Sequence, residues 1–363
     1  MKNTILAALM MTVLTACGGG LTQNNGVDPR PQPTSTPPRP APSSAKYVYV
    51  MSAGDDLINQ YSLENGIISP LSQPSIATGM TPMSITTDSA RRFVYVFNNS
   101  DGTLSQYVVG TNGALTEIAS PIPVSGYPYA IVASPDAKSV YGMEWDSISR
   151  YSIGTDGSLT YVENLSNPEG PVGMTFSPDG KYAYSANMMS ETLSQYSVGS
   201  DGSLTPLTPA TVPTTGCSSG PIQSIQLSDG GSYVYALSCM AQAIDAFQIG
   251  NDGTLVHLQT IPTGPIPEGM FVTSTNIYVT NLGDGTISMY GIASDGSLST
   301  LSTITVSDMP EAIAVDAVAK MAYLIDSNSG VITPYAVSDT GELIPHSSGA
   351  VSTGSSPRQI LLK

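Results

Sequence analysis

The sequence predicts an all-β fold: a seven-bladed β-propeller of four-stranded antiparallel blades over residues 46–363, closed by C-terminal strand pairing into the first blade. Three observations predict it. Four landmarks recur seven times in constant order, hairpin-type turns separate short β-rich runs, and the last run supplies a strand that the first repeat lacks.

The repeat length of about 45 residues is the signature of a propeller or solenoid. Each repeat opens on a proline followed by alternating apolar residues, at Pro82, Pro128, Pro171, Pro221, Pro267, Pro310 and Pro357. A β-rich run around a tyrosine follows, centred on Tyr49, Tyr95, Tyr141, Tyr184, Tyr235, Tyr278 and Tyr323. Next comes a run ending in an aromatic residue: Tyr61, Tyr107, Tyr151, Tyr196, Phe247, Tyr290 and Tyr335. The fourth landmark is a turn glycine and a short apolar strand, at Gly66, Gly113, Gly157, Gly202, Gly253, Gly296 and Gly341. Asn-Gly and Asp-Gly pairs such as Asp156-Gly157 and Asp201-Gly202 supply the positive φ that tight hairpins need. Each repeat therefore reads as a four-stranded meander, and seven meanders around an axis make a propeller.

The chain enters on the Tyr47–Val50 run without a preceding proline strand and leaves on Pro357–Leu362 without a following tyrosine strand. The last strand is thus the innermost strand of the first blade, which removes two sheet edges that would invite aggregation.

Residues 1–16 have the zones of an export signal, with Lys2 ahead of an apolar stretch from Ile5 to Val13. That stretch is too short to span a bilayer as a helix. Leu14-Thr15-Ala16-Cys17 resembles the lipobox of bacterial lipoproteins, which implies acylation at Cys17; a soluble exported protein with a free Cys17 is the alternative. Residues 17–45 hold Gly18-Gly19-Gly20 and seven prolines with almost nothing to bury, the composition of a Pro-rich tether. The expected location is the outer membrane, cell surface or periplasm, with membrane contact through the Cys17 lipid alone.

Setting aside Lys2, Arg30, Arg39 and Asp28, nine Lys and Arg face 27 acids across residues 46–363, a formal charge of −18. That balance opposes nucleic-acid binding and adhesion of the domain body to anionic lipid. No spaced oxygen-ligand loop, zinc cluster, P-loop or dinucleotide fingerprint is present, so no metal or cofactor is expected. The expected state is a monomer.

The runs Tyr278-Val279-Thr280-Asn281, Gly285-Thr286-Ile287-Ser288 and Ser177-Pro178-Asp179-Gly180-Lys181 resemble the YVTN-type propeller repeat. The whole pattern is similar to the lactonase family of seven-bladed propellers, which includes bacterial 6-phosphogluconolactonases and a fungal carboxymuconate cyclase. That resemblance implies the fold strongly and the activity weakly, because its motifs are strand and turn chemistry. It also implies a histidine beside Glu and Arg at one mouth of the channel. Here the two histidines, His257 and His346, follow turn glycines on outermost strands, where they are expected to face solvent. No catalytic assignment therefore carries over.

The residue after each landmark proline holds an equivalent place around one mouth: Met83, Tyr129, Val172, Ile222, Glu268, Glu311 and Arg358. Blades six, seven and one thereby set Glu268, Glu311 and Arg358 side by side, as either a general base with an anion clamp or an ion cluster sealing the ring. A second ring ends each tyrosine strand: Ser52, Asn98, Glu144, Asn187, Ser238, Asn281 and Asp326. Such side chains cap turns or touch a ligand, and Trp145, beside Glu144, is a stacking platform or an inter-blade plug. Cys217 and Cys239 fall at one end of the fifth blade's inner hairpin, and the gap from Gly202 to Pro221 is 19 residues against 14 to 16 in other repeats. A disulfide stapling that enlarged loop is expected in an oxidising compartment.

Two functions fit these features. One is a non-catalytic module binding a protein or glycan at one rim; the other is a lactonase-type hydrolase acting on a sugar lactone or acidic sugar through Glu268, Glu311 and Arg358.

Overall fold

A computed structural model describes residues 45–363 except 125, 215–221 and 239, and leaves aside the side chains of 222 and 223. The export signal, most of the tether, Cys17 and the Cys217–Cys239 pairing lie outside the described residues.

The second blade shows the common plan. Its strands Pro82–Thr87, Phe93–Asn98, Thr103–Val109 and Leu115–Pro123 pair antiparallel in chain order from the axis outward. Six further sheets repeat this plan, and the first is completed by Pro357–Leu362 beside Tyr47–Ser52. The predicted closure is therefore present, with Tyr49 opposite Leu361 and Val50 opposite Ile360. Blade seven departs from the plan in one respect. Its outermost strand is broken into Leu343–Pro345 and Val351–Ser352, both paired to Val331–Val337.

Each sheet is apolar on both faces, so the core is a series of layers between neighbouring blades. The central tyrosines are fully buried, and their hydroxyls reach across those layers. Tyr49, Tyr95, Tyr141, Tyr184, Tyr235 and Tyr278 each donate to the carbonyl of the turn glycine in the next blade, at 2.6–3.1 Å. Burial raises the pKa of Tyr141 and Tyr278 to about 12, so these donors keep their protons at any physiological pH.

A second aromatic on the same strand explains the glycine. At Gly253, φ is +82° and an added Cβ would lie 2.2 Å from the Tyr182 ring. A preceding aspartate completes the turn: Asp156 Oδ1 accepts the Ser158 N–H at 3.0 Å and the Ser158 hydroxyl at 2.7 Å. This is the physical content of the recurring Asp-Gly-Ser signature.

Candidate functional site at the channel mouth

The mouth is built by a bulge that repeats in every blade. In blade two, Pro82 pairs with Asn98 and Ser84 with Phe97, leaving Met83 as the extra residue. Tyr129, Val172, Glu311 and Arg358 are extra in the same way. A bulged residue is re-aimed out of the pleat, so this position around the ring carries the variable chemistry. Blade five differs from expectation. Ile222 pairs with Ser238 and Ser224 with Leu237, so Gln223 occupies the bulge. Ile225 packs where Ile85 and Ile131 do, and in the sequence it follows its landmark proline by four residues where they follow theirs by three.

Blade six has the widest bulge: Pro267 pairs with Asn281, the next register pair is Met270 with Val279, and both Glu268 and Gly269 lie between. The Thr280 hydroxyl fills the gap, accepting the Gly269 N–H at 2.9 Å and donating to the Glu311 carbonyl at 3.1 Å. An added Cβ on Gly269 would lie 2.8 Å from that carbonyl. Glycine thus lets blades six and seven approach closely, holding the two glutamates on adjacent strands.

Arg358 Nη1 donates to Glu311 Oε1 at 3.0 Å. The arginine side chain is 46% exposed and the glutamate 7%, so the guanidinium spans from a buried anchor to the open mouth. Glu268 is half-buried, and its pKa is raised from 4.5 to about 7. Burial is the largest cause, the neighbouring Glu311 carboxylate adds to it, and Arg358 opposes both. A carboxyl balanced between its two forms near neutrality, beside a cation locked by a second carboxylate, is suited to proton transfer next to developing negative charge.

Blade three carries an aromatic pair, Tyr129 and Trp145, with ring centroids 6.2 Å apart and planes tilted by 33°. In a ring of seven, blade three lies opposite blades six and seven. Trp145 is 45% exposed. Glu144, next to it, is buried and accepts the Ser149 hydroxyl at 2.6 Å. The rest of that second ring is equally enclosed. Asn98, Asn187 and Asn281 each donate through Nδ2 to a threonine and a serine of the following strand.

Neither histidine is at the mouth. His257 lies on the outermost strand Leu255–Pro262 and His346 just after Leu343–Pro345. His257 does not simply face solvent, however. It stands edge-on to Phe247 with ring centroids 5.3 Å apart, and its Nε2 is 3.1 Å from Asp245 Oδ1. Among the described residues, no group of three His, Cys, Asp or Glu side chains is arranged to hold a metal ion.

A closed ring of seven such four-stranded sheets places the chain in the class of seven-bladed β-propellers. The family model for the lactonase, 7-bladed beta-propeller matches residues 22–219, 128–280 and 224–358. The chain belongs to that family. It is 25% identical over 214 residues to a 6-phosphogluconolactonase of Erwinia tasmaniensis, an alignment covering 56% of this chain and 64% of that relative. Among solved structures, the periplasmic gluconolactonase of Pseudomonas aeruginosa superimposes with a TM-score of 0.74 at 18% identity, over 87% of this chain and 98% of that one. A Bacteroides fragilis protein named as a candidate 6-phosphogluconolactonase gives 0.75 at 16% identity, over 90% and 100%. At these identities the structural likeness shows the fold.

Proposed function

We propose that this chain is a lactonase-type hydrolase acting on a sugar lactone at the mouth formed by Glu268, Glu311 and Arg358. One observation carries the reading: Glu268 has a pKa of about 7 beside an arginine that Glu311 holds in place. Ionised Glu268 takes a proton from water as the water oxygen bonds to the lactone carbonyl carbon. Arg358 stabilises the oxyanion that forms. The ring C–O bond then breaks, the proton on Glu268 passes to the departing alkoxide oxygen, and a hydroxy acid leaves. Tyr129 and Trp145 offer a wall on the far side for the sugar face. In this scheme a carboxylate takes the place of a central imidazole as base. Relatives named as gluconolactonase and 6-phosphogluconolactonase support the substrate class.

We further propose that the protein is exported and anchored through Cys17, which makes an extracytoplasmic lactone the substrate. The test is a panel of five- and six-membered sugar lactones assayed with the wild type and Arg358→Ala. Loss of an oxyanion donor lowers kcat/KM by about 10²- to 10³-fold. Wild-type turnover no faster than the uncatalysed reaction for every lactone would replace this reading with the non-catalytic one, a module binding a protein or glycan at one rim.

A further inference from the structure

Cations are scarce in residues 46–363, and their placement is uneven. Five of the nine, Lys138, Arg150, Lys181, Lys320 and Arg358, are each ion-paired to a carboxylate. The other four, Lys46, Arg91, Arg92 and Lys363, line a single depression of about 520 Å³ at the seam between blades one and two. Arg92 is paired with Asp88 at 3.3 Å. Among the described residues, Lys46, Arg91 and Lys363 have no carboxylate partner. The three unpaired cations of a domain with formal charge −18 thus share one cavity.

Separate segments bring them there. Lys46 begins the first blade, and its N–H donates to the Lys363 carbonyl at 2.6 Å. Arg91 and Arg92 sit in the tight turn after the inner strand of blade two, where Asp88 Oδ1 accepts the N–H groups of Arg92 and Phe93. Asp88 is fully buried, with its oxygens directed to these backbone groups and to Arg92 Nε. Tyr47, Phe93, Val108 and Val109 form apolar walls, and Lys363 Nζ lies 5.9 Å from the Tyr47 ring centre. Burial is the main cause that lowers the pKa of Lys363; Asp88 opposes it, and the nearby Arg91 adds a smaller lowering. Asp88 and, where the chain stops at residue 363, a terminal carboxylate offset part of this charge and leave an excess of about two.

The depression is distinct from the mouth. Arg358 and Lys363 stand near opposite ends of one inner strand, so at about 3.3 Å per residue they are roughly 17 Å apart on opposite faces of the ring. Convergent Arg and Lys groups with two uncompensated charges match a dianion better than a single carboxylate, and a guanidinium accepts a phosphate through two parallel hydrogen bonds. We propose that this seam is a phosphate-binding site, taking the phosphoryl group of a phosphorylated ligand whose adjoining carbon skeleton rests on Tyr47 and Val108.

The same dianionic chemistry is offered by a soluble phosphate monoester or by a phosphatidic acid headgroup, and the experiment separates them. The full chain carrying Cys17→Ala, which removes the acylation acceptor, is titrated calorimetrically with inorganic phosphate and glycerol 3-phosphate. It is also sedimented with vesicles of phosphatidic acid in phosphatidylcholine. Saturable binding of the soluble esters, or of the vesicles alone, weakened about tenfold or more by Arg91→Gln with Lys363→Gln and not by Lys320→Gln, is the expected result and names the source. Binding in neither arm, or binding equal in all variants, overturns the site. Lactone turnover in the same variants is expected to be unchanged, so failure here is separable from failure at the mouth.

Discussion

Glu268 is where stability and chemistry oppose each other. Its folded-state pKa of about 7 exceeds its ordinary 4.5 because burial and Glu311 disfavour the anion. The stabilisation this group gives is whole below about pH 4.5 and is lost as pH rises through about 7, amounting to roughly 3 kcal/mol. Glu268→Gln keeps the shape and removes the charge, so above neutrality it is expected to raise the unfolding free energy by up to about that amount. At pH 4 the two proteins should melt alike, and calorimetry at both pH values checks the sign. The Glu268–Glu311–Arg358 cluster was legible because landmark prolines number the blades. The near-neutral pKa was not, since it depends on how far the bulge withdraws one carboxyl from water. Four cations at one seam were also hidden: Lys46 and Lys363 meet only through ring closure.

At the level of the strand and turn, tyrosine and glycine form the staple between blades. Tyr184 donates to the Gly253 carbonyl at 2.7 Å in a buried layer. Tyr184→Phe leaves that carbonyl without its donor and is expected to cost about 1–3 kcal/mol. Tyr323, the equivalent in blade seven, has a buried hydroxyl with no hydrogen-bond partner among the described residues. Tyr323→Phe should therefore be neutral or stabilising, and urea unfolding of the pair tests the contrast. Gly253→Ala should cost several times a usual surface change, because it combines φ of +82° with a 2.2 Å clash. The Asp-Gly turns announced these hairpins in the sequence. The recurrent bulge did not announce itself, because two residues facing one leaves no mark in composition. Gly173 and Gly269, each a glycine inside a strand pattern two residues after the landmark proline, are the only local signal of it. In blade five the landmark spacing misled, since Ile225 follows its proline by four residues and Gln223 rather than Ile222 takes the bulge.

For the whole molecule, the ring depends on one six-residue strand. Removing Pro357–Lys363 would take away the innermost strand of blade one, Arg358, and one wall of the cationic seam together. The truncated chain is expected to lose cooperative unfolding and to aggregate through the exposed edge of Tyr47–Ser52, which light scattering during refolding reads directly. Closure and blade number were legible from the order of landmarks at the two ends. The break in blade seven's outer strand was not, because Leu343–Pro345 and Val351–Ser352 each keep β-like composition around an exposed turn. The most direct test of the functional assignment is the initial rate of sugar-lactone hydrolysis between about pH 5.5 and 8.5, corrected for the uncatalysed reaction, in the wild type and Glu268→Gln. Wild-type kcat/KM should rise with pH to a plateau with a midpoint near 7, while the variant stays flat and at least about 100-fold lower. Equal rates for the two proteins at every pH would contradict Glu268 as the base.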